Sequence, residues 1–115
     1  MNNFYPKSNK YKAEKSLYGG RNYHSKKEAS YAMELDWKKK AGIIKEIIPQ
    51  YKLDLRVNGV HICNYYIDFK VINTDGTIEL IEVKGFETNE WLLKWKITEA
   101  TLNELEPGAK LILIK

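Results

Sequence analysis

The sequence predicts an α/β domain of the α+β kind, with element order α-β-β-β-α-β and a mixed four-stranded sheet flanked by helices. Three observations predict it. A capping signal at Ser25 opens a run of good helix formers. Three β-type runs follow, punctuated by Asn58-Gly59 and by Thr74-Asp75-Gly76. An apolar stripe at helical spacing from Trp91 to Leu105 then precedes a short β-type run, Lys110–Lys115.

Each element has its own local cause. Ser25-Lys26-Lys27-Glu28 is a capping box, and helix formers continue to Ala41, with Gly42 at the C′ place. Ile43–Ile48 is a short strand that Pro49, lacking an N–H, is expected to stop. Tyr51, Leu53, Leu55 and Val57 alternate with polar residues, the period of a half-buried strand. Asn58-Gly59 predicts a tight hairpin, with a return strand over Val60–Ile72. After the Thr74-Asp75-Gly76 turn, Thr77–Lys84 forms the next strand and Gly85 ends it. A second helix starts near Thr88 or Asn89 and stops at Pro107-Gly108. The last β-α-β portion should be a right-handed crossover that sets two parallel strands in one sheet.

Composition narrows the function. At 115 residues, with 43% hydrophobic and 30% charged residues, the chain suits one folded core rather than a disordered segment. No apolar run approaches the ~20 residues that span a bilayer. The first residues lack the apolar centre of a signal peptide, and Cys63 is the lone cysteine. The expectation is a reduced, intracellular compartment. The net charge of +4 is unevenly spread, because residues 1–27 carry +6 and the rest −2. Tyr5, Tyr11, Tyr18 and Tyr23 lie within that basic stretch. Residues 1–24 therefore read as a basic, flexible, irregular arm with a break at Gly19-Gly20, and residues 25–115 as the domain. Such an arm suits a polyanion such as DNA, and equally a solvated, solubilising tail.

The chemistry centres on Asp68 and on Glu82-Val83-Lys84. Alternate residues of a strand share a face, so Glu82 and Lys84 point the same way. Ile78 and Leu80 share that face, which is apolar toward the turn and charged at the far end. Two carboxylates suit a hard cation such as Mg²⁺, which takes oxygen ligands at ~2.0–2.1 Å. A lysine beside them would orient an attacking water or stabilise charge developing on a phosphate. Turn length decides whether Asp68 takes part. A two-residue Asp75-Gly76 loop sets it across from Val83, on the wrong face. A three-residue loop with Gly76 in the left-handed region sets it across from Glu82, and a bulge would do the same. The bland alternative is an alternating charge pattern on a wet strand face.

Glu28 is both the N3 residue of the capping box and, on a helical wheel, an inward-leaning glutamate beside Ala32 and Leu35. It is a candidate third carboxylate. Gln50, following Pro49, reads chiefly as a loop residue, with a metal or phosphate contact as the lesser role. Lys94 and Lys96 on the second helix, and Lys26 and Lys27 on the first, are candidates for holding a DNA backbone. Trp91 and Trp95 read as core, and Cys63 as a small buried residue. His24 and His61 have no partner at zinc-ligand spacing.

Taken together, the pieces resemble the PD-(D/E)xK nucleases. In that family an Asp ends or bends the second core strand and the (D/E)xK lies on the third. Tyr66-Ile67-Asp68-Phe69 and Ile81-Glu82-Val83-Lys84-Gly85 occupy those places here, and Glu28 in Ser25-Lys26-Lys27-Glu28-Ala29 matches the glutamate often found on the first helix. The ensemble is most similar to small phage-encoded endonucleases, including those related to endonuclease I-type Holliday-junction resolvases. It covers roughly residues 24–115. Ile67 stands where many members carry the Pro before the Asp. The resemblance implies a restriction-endonuclease-like core and Mg²⁺- or Mn²⁺-dependent hydrolysis of DNA phosphodiesters. It also implies a homodimer in many members, and phage or prophage origin with action in a bacterial host. Glu28, Asp68, Glu82 and Lys84 would then be catalytic, with Asp68 and Glu82 on the metal. The rival expectations are a non-catalytic DNA-binding module on the same fold, and a structural factor with no nucleic-acid role.

Overall fold

A computed structural model describes the backbone of residues 16–18 and 21–23 and, in full, residues 25–115. The elements are β1 (Ser16–Tyr18), β2 (Arg21–Tyr23), α1 (Lys26–Lys40), β3 (Ile44–Val57), β4 (Val60–Asn73), β5 (Ile78–Val83), α2 (Asn89–Leu105) and β6 (Lys110–Ile114). From α1 onward this is the expected α-β-β-β-α-β order. The sheet runs β3-β4-β5-β6, antiparallel except for the parallel β5/β6 pair across α2. Among the described residues no helix is long and apolar enough to cross a membrane.

Local signals account for the boundaries. The Ser25 hydroxyl accepts from the Glu28 N–H at 3.1 Å, and Lys38, Lys39 and Lys40 lie in the last turn of α1, where the helix dipole favours cations. Gly42 follows at φ 84°, a conformation that suits glycine. Thr88 caps α2 by accepting from the Trp91 N–H at 3.1 Å. The β3–β4 connection pairs Val57 with Val60 around Asn58 and Gly59, both at positive φ, as a type I′ hairpin requires.

Two expectations need correction. Pro49 does not stop a strand: β3 runs unbroken from Ile44 to Val57, with Pro49 across from Phe69. β3 is an outer strand, where a missing N–H need not remove a ladder bond. Residues 16–18 and 21–23 are not irregular but pair antiparallel, Ser16 with Tyr23 and Tyr18 with Arg21. Gly-Gly between β-type residues is itself a hairpin signal, overshadowed here by the basic composition. The rest of the arm lies outside the described residues.

The core has two layers, one on each side of the sheet. Ala29, Ala32 and Leu35 of α1 pack against Ile44, Phe69, Val71, Ile81 and Val83. Trp91 and Trp95 of α2 pack against Leu53, Leu55, Tyr65, Ile67 and Leu80. The two indoles stack at 5.4 Å between centroids. Tyr65, Ile67, Phe69 and Val71 share parity along β4, so an unbroken strand would send all four to one side. The first two instead join the α2 layer and the last two the α1 layer. The change of side falls at Asp68.

Candidate active site

The turn between β4 and β5 sets the register on which the site depends. Asn73 N–H donates to the Thr77 carbonyl at 2.9 Å, and Gly76 sits at φ 91°. The loop is therefore the three-residue Thr74-Asp75-Gly76. The ladder then runs from Ile72 opposite Ile78 to Phe69 opposite Ile81. One step further along, Asp68 faces Glu82. There the backbones no longer pair, and the side chains cross instead. The Asp68 N–H donates to Glu82 Oε1 at 3.2 Å, and the Val83 N–H donates to Asp68 Oδ2 at 2.8 Å. Each carboxylate satisfies a backbone donor of the opposite strand where the ladder ends.

Glu28 enters from α1 and Gln50 from β3. The Gln50 carboxamide donates to Glu28 Oε2 and to Asp68 Oδ1, each at 3.4 Å. The Glu28 carboxyl is also within hydrogen-bonding reach of Asp68. Gln50 is thus a strand residue bridging two carboxylates, a correction to its reading as loop. It holds φ 51°, uncommon for any residue but glycine, and lies at the level of Asp68 on the neighbouring strand. β3 changes side here as β4 does, with Ile47 in the α1 layer and Leu53 in the α2 layer.

On the opposite flank the Tyr65 hydroxyl neighbours the Glu82 carboxylate and accepts from the Trp91 indole N–H at 2.9 Å. Lys84 Nζ lies 3.9 Å from Glu82 Oε2 and 5.1 Å from the centre of the Trp91 ring. Trp91 is core, as expected, and also bounds the site.

Glu28, Asp68 and Glu82 are 5%, 9% and 5% exposed. Burial raises the Asp68 pKa above the ordinary carboxylate value, against the Val83 N–H, Lys84 and Gln50, which lower it. Burial and the Asp68 charge push Glu82 up to about 8, against the opposing pull of Lys84. Among the described residues, two facing buried carboxyls beside one lysine would be costly to ionise together without further positive charge. A carboxyl kept protonated by burial, as Glu82 is, must release that proton to take a cation. Among the described residues no group of three or more Asp, Glu, His or Cys side chains is placed to hold a metal ion. The donor set fits instead a hard cation on two carboxylates with waters completing its shell, the usual manner of Mg²⁺.

The remaining candidates divide by place. Lys26 and Lys27 are exposed on the turn of α1 that carries Glu28. Lys94 is half-buried and pairs with Glu90 at 3.6 Å. Lys96 lines a depression of about 360 Å³ with Val57 and Asn58 at the β3–β4 turn, apart from the carboxylates. His61 Nδ1 hydrogen-bonds Asp54 at 2.6 Å, and the side chain of His24 lies outside the described residues. Cys63 is half-buried rather than buried, packed against the α2 layer that covers it only in part. Sequence reasoning gave Tyr65 no role at the site. Its one signal was parity with Ile67, which marks a buried position but not a polar partner.

No curated protein and no solved structure matches the chain. Residues 8–111 match a family model described as "Protein of unknown function (DUF1064)", and with most of its length so covered the chain belongs to the DUF1064 family.

Proposed function

We propose that this protein is a metal-dependent DNA endonuclease of the PD-(D/E)xK type. One observation carries the reading: Asp68 and Glu82 face each other where two strands part, with Lys84 beside them and Glu28 joined through Gln50. On a merely solvated strand face these groups would be exposed and independently hydrated, whereas here the carboxyls are buried.

Asp68 and Glu82 would hold Mg²⁺ or Mn²⁺, with the Val83 carbonyl as a further oxygen ligand. The cation supplies charge neutralisation at the scissile phosphate and lowers the pKa of a coordinated water. Lys84 orients the attacking oxygen or donates to the phosphate oxygen on which charge develops. Its contact with the Trp91 ring and Glu82 limits the positions its ammonium can take. Glu28 acts on the same centre directly or through a water. Water adds to phosphorus, the P–O bond to one sugar breaks, and that sugar oxygen takes up a proton.

The basic stretch with Lys26, Lys27, Lys94 and Lys96 would grip phosphates without reading sequence. The resemblance to resolvases extends the proposal to branched DNA, to a homodimer and to phage or prophage DNA processing in a bacterial host. The test is a cleavage panel of linear, supercoiled, flapped and four-way DNA with Mg²⁺ and with Mn²⁺. Cutting is expected for the wild type and not for Asp68→Ala or Glu82→Ala. Salt-sensitive binding without any cutting would favour the non-catalytic module instead.

A further inference from the structure

We infer that Gln50 is a positioning residue that sets the separation and orientation of the Glu28 and Asp68 carboxylates for the cation. The inference rests on the nuclease reading and deepens it. Three features of Gln50 point this way.

First, its carboxamide donates to Glu28 Oε2 and Asp68 Oδ1 together, both at 3.4 Å. An amide nitrogen offers two N–H donors, so one side chain can serve two acceptors. Secondly, the bridge is neutral. An arginine or lysine in its place would orient the carboxylates but also cancel their charge and compete with a cation. The carboxamide orients them and leaves that charge in place. Asp68 retains lone pairs beyond those used by Gln50 and the Val83 N–H. Thirdly, the backbone is bent to deliver the group. φ of 51° inside a strand is sparsely populated by residues with a Cβ, and it recurs where function requires it. The bend sits across from Asp68, so the departures of β3 and β4 from plain alternation coincide at one level of the sheet.

The carboxamide also ties α1 to β4, since Glu28 belongs to the first turn of α1. Without the bridge the Glu28 and Asp68 carboxylates would lose the donor they have in common. Asp68 Oδ1 would then lose this donor while Oδ2 keeps the Val83 N–H, so the carboxylate could rotate about that one anchor.

Gln50→Ala and Gln50→Gly separate the side chain from the backbone. Both remove the amide, but only glycine accepts the positive φ without strain. Mn²⁺ binding is read by titration calorimetry or by the paramagnetic signal of the free ion, and folding by thermal melting in EDTA. Both variants are expected to bind Mn²⁺ about 10- to 100-fold more weakly than wild type, the usual loss for a group that orients a ligand. Gln50→Gly should melt at or above Gln50→Ala, so affinity follows the amide while stability follows φ. Plasmid nicking by both variants should be recovered by raising Mn²⁺. If wild type and both variants bind Mn²⁺ equally, the positioning role is overturned and the nuclease reading stands. If wild type binds no Mn²⁺ at all, the metal site itself is overturned, and the role of Gln50 with it.

Discussion

Two polar clusters interrupt the apolar packing of this sheet, and they are built on opposite principles. In one, Lys70 reaches Glu106 at 3.0 and 3.2 Å and the Tyr51 hydroxyl at 3.3 Å, and Tyr51 donates to Glu106 at 2.7 Å. The side chains of Lys70 and Glu106 are 13% and 14% exposed. Burial works to lower the Lys70 pKa, but Glu106 and Tyr51 outweigh it and raise it. One cation meets one anion at short range, and the hydroxyl both donates and accepts. In the other cluster, among the described residues, the buried Asp68 and Glu82 face each other with Lys84 Nζ 3.9 Å from Glu82. The first cluster is complete as it stands, closing the end of α2 onto β3 and β4. In the second, among the described residues, two facing buried carboxyls outnumber the one lysine beside them, and both are shifted toward the protonated form. Similar residue types on one sheet therefore give a structural tie where charges balance and a candidate reactive centre where they do not.

The largest expected effect follows from that imbalance. Asp68→Ala or Glu82→Ala removes half of the proposed cation site, and Mg²⁺-dependent nicking of supercoiled DNA should fall by roughly 10³-fold or more. Lys84→Ala leaves both carboxylates and should cost about 10²–10³-fold, the range for losing one charge-stabilising donor. A Lys84→Ala protein that cuts at the wild-type rate would remove lysine from the mechanism. Neither change should alter the Lys70–Glu106 tie.

Damage to the complete cluster should have the reverse signature. Glu106→Ala leaves the Lys70 ammonium mostly buried with only Tyr51 beside it. A stability loss of about 2–3 kcal/mol is expected, below the figure for a fully dry pair because some water reaches both groups. Denaturant unfolding measures it. Cation affinity and cutting should be unchanged in the folded fraction. A loss of Mn²⁺ affinity in this variant would mean that the two clusters are coupled and the contrast between them false.

Much of this arrangement was legible in the sequence, for reasons that differ by residue. Ser25 and Glu28 carry a local signal, because a helix start needs a cap and the wheel alone turns Glu28 inward. The facing of Asp68 and Glu82 reduced to a question of turn length, and Gly76 weighted it toward three residues. Gln50 was not legible as a ligand-orienting residue. Its conformation depends on β3 pairing with β4, a non-local contact, and the preceding Pro49 imitates a strand end. Tyr65 was hidden for a similar reason. Its partners Glu82 and Trp91 lie far along the chain, and alternation reports burial without reporting what a buried hydroxyl touches. The Lys70–Glu106 tie has the same character, since nothing near Glu106 in sequence predicts a partner on β4.

The smallest effect, and the one that tests the imbalance without any DNA, is the dependence of stability on pH. Glu82 is pushed from 4.5 up to about 8 in the folded protein, first by burial and then by Asp68, and Asp68 moves in the same direction. The folded state then binds more protons than the unfolded chain between those values, so stability must fall as pH rises. The contribution is fully present below about pH 4.5, the unfolded value, and is lost as pH passes through about 8. Glu82→Gln keeps an oxygen to accept from the Asp68 N–H but carries no proton to lose. In EDTA at pH 9 it should be more stable than wild type by about 1–3 kcal/mol, with the gap shrinking toward pH 5. Millimolar Mg²⁺ at pH 9 should raise the melting temperature of wild type and leave that of Glu82→Gln nearly unmoved, because a cation that binds only the folded state stabilises it by mass action. Parallel melting curves for the two proteins across this range would mean that the carboxylates are not under the strain that distinguishes their cluster from that of Lys70.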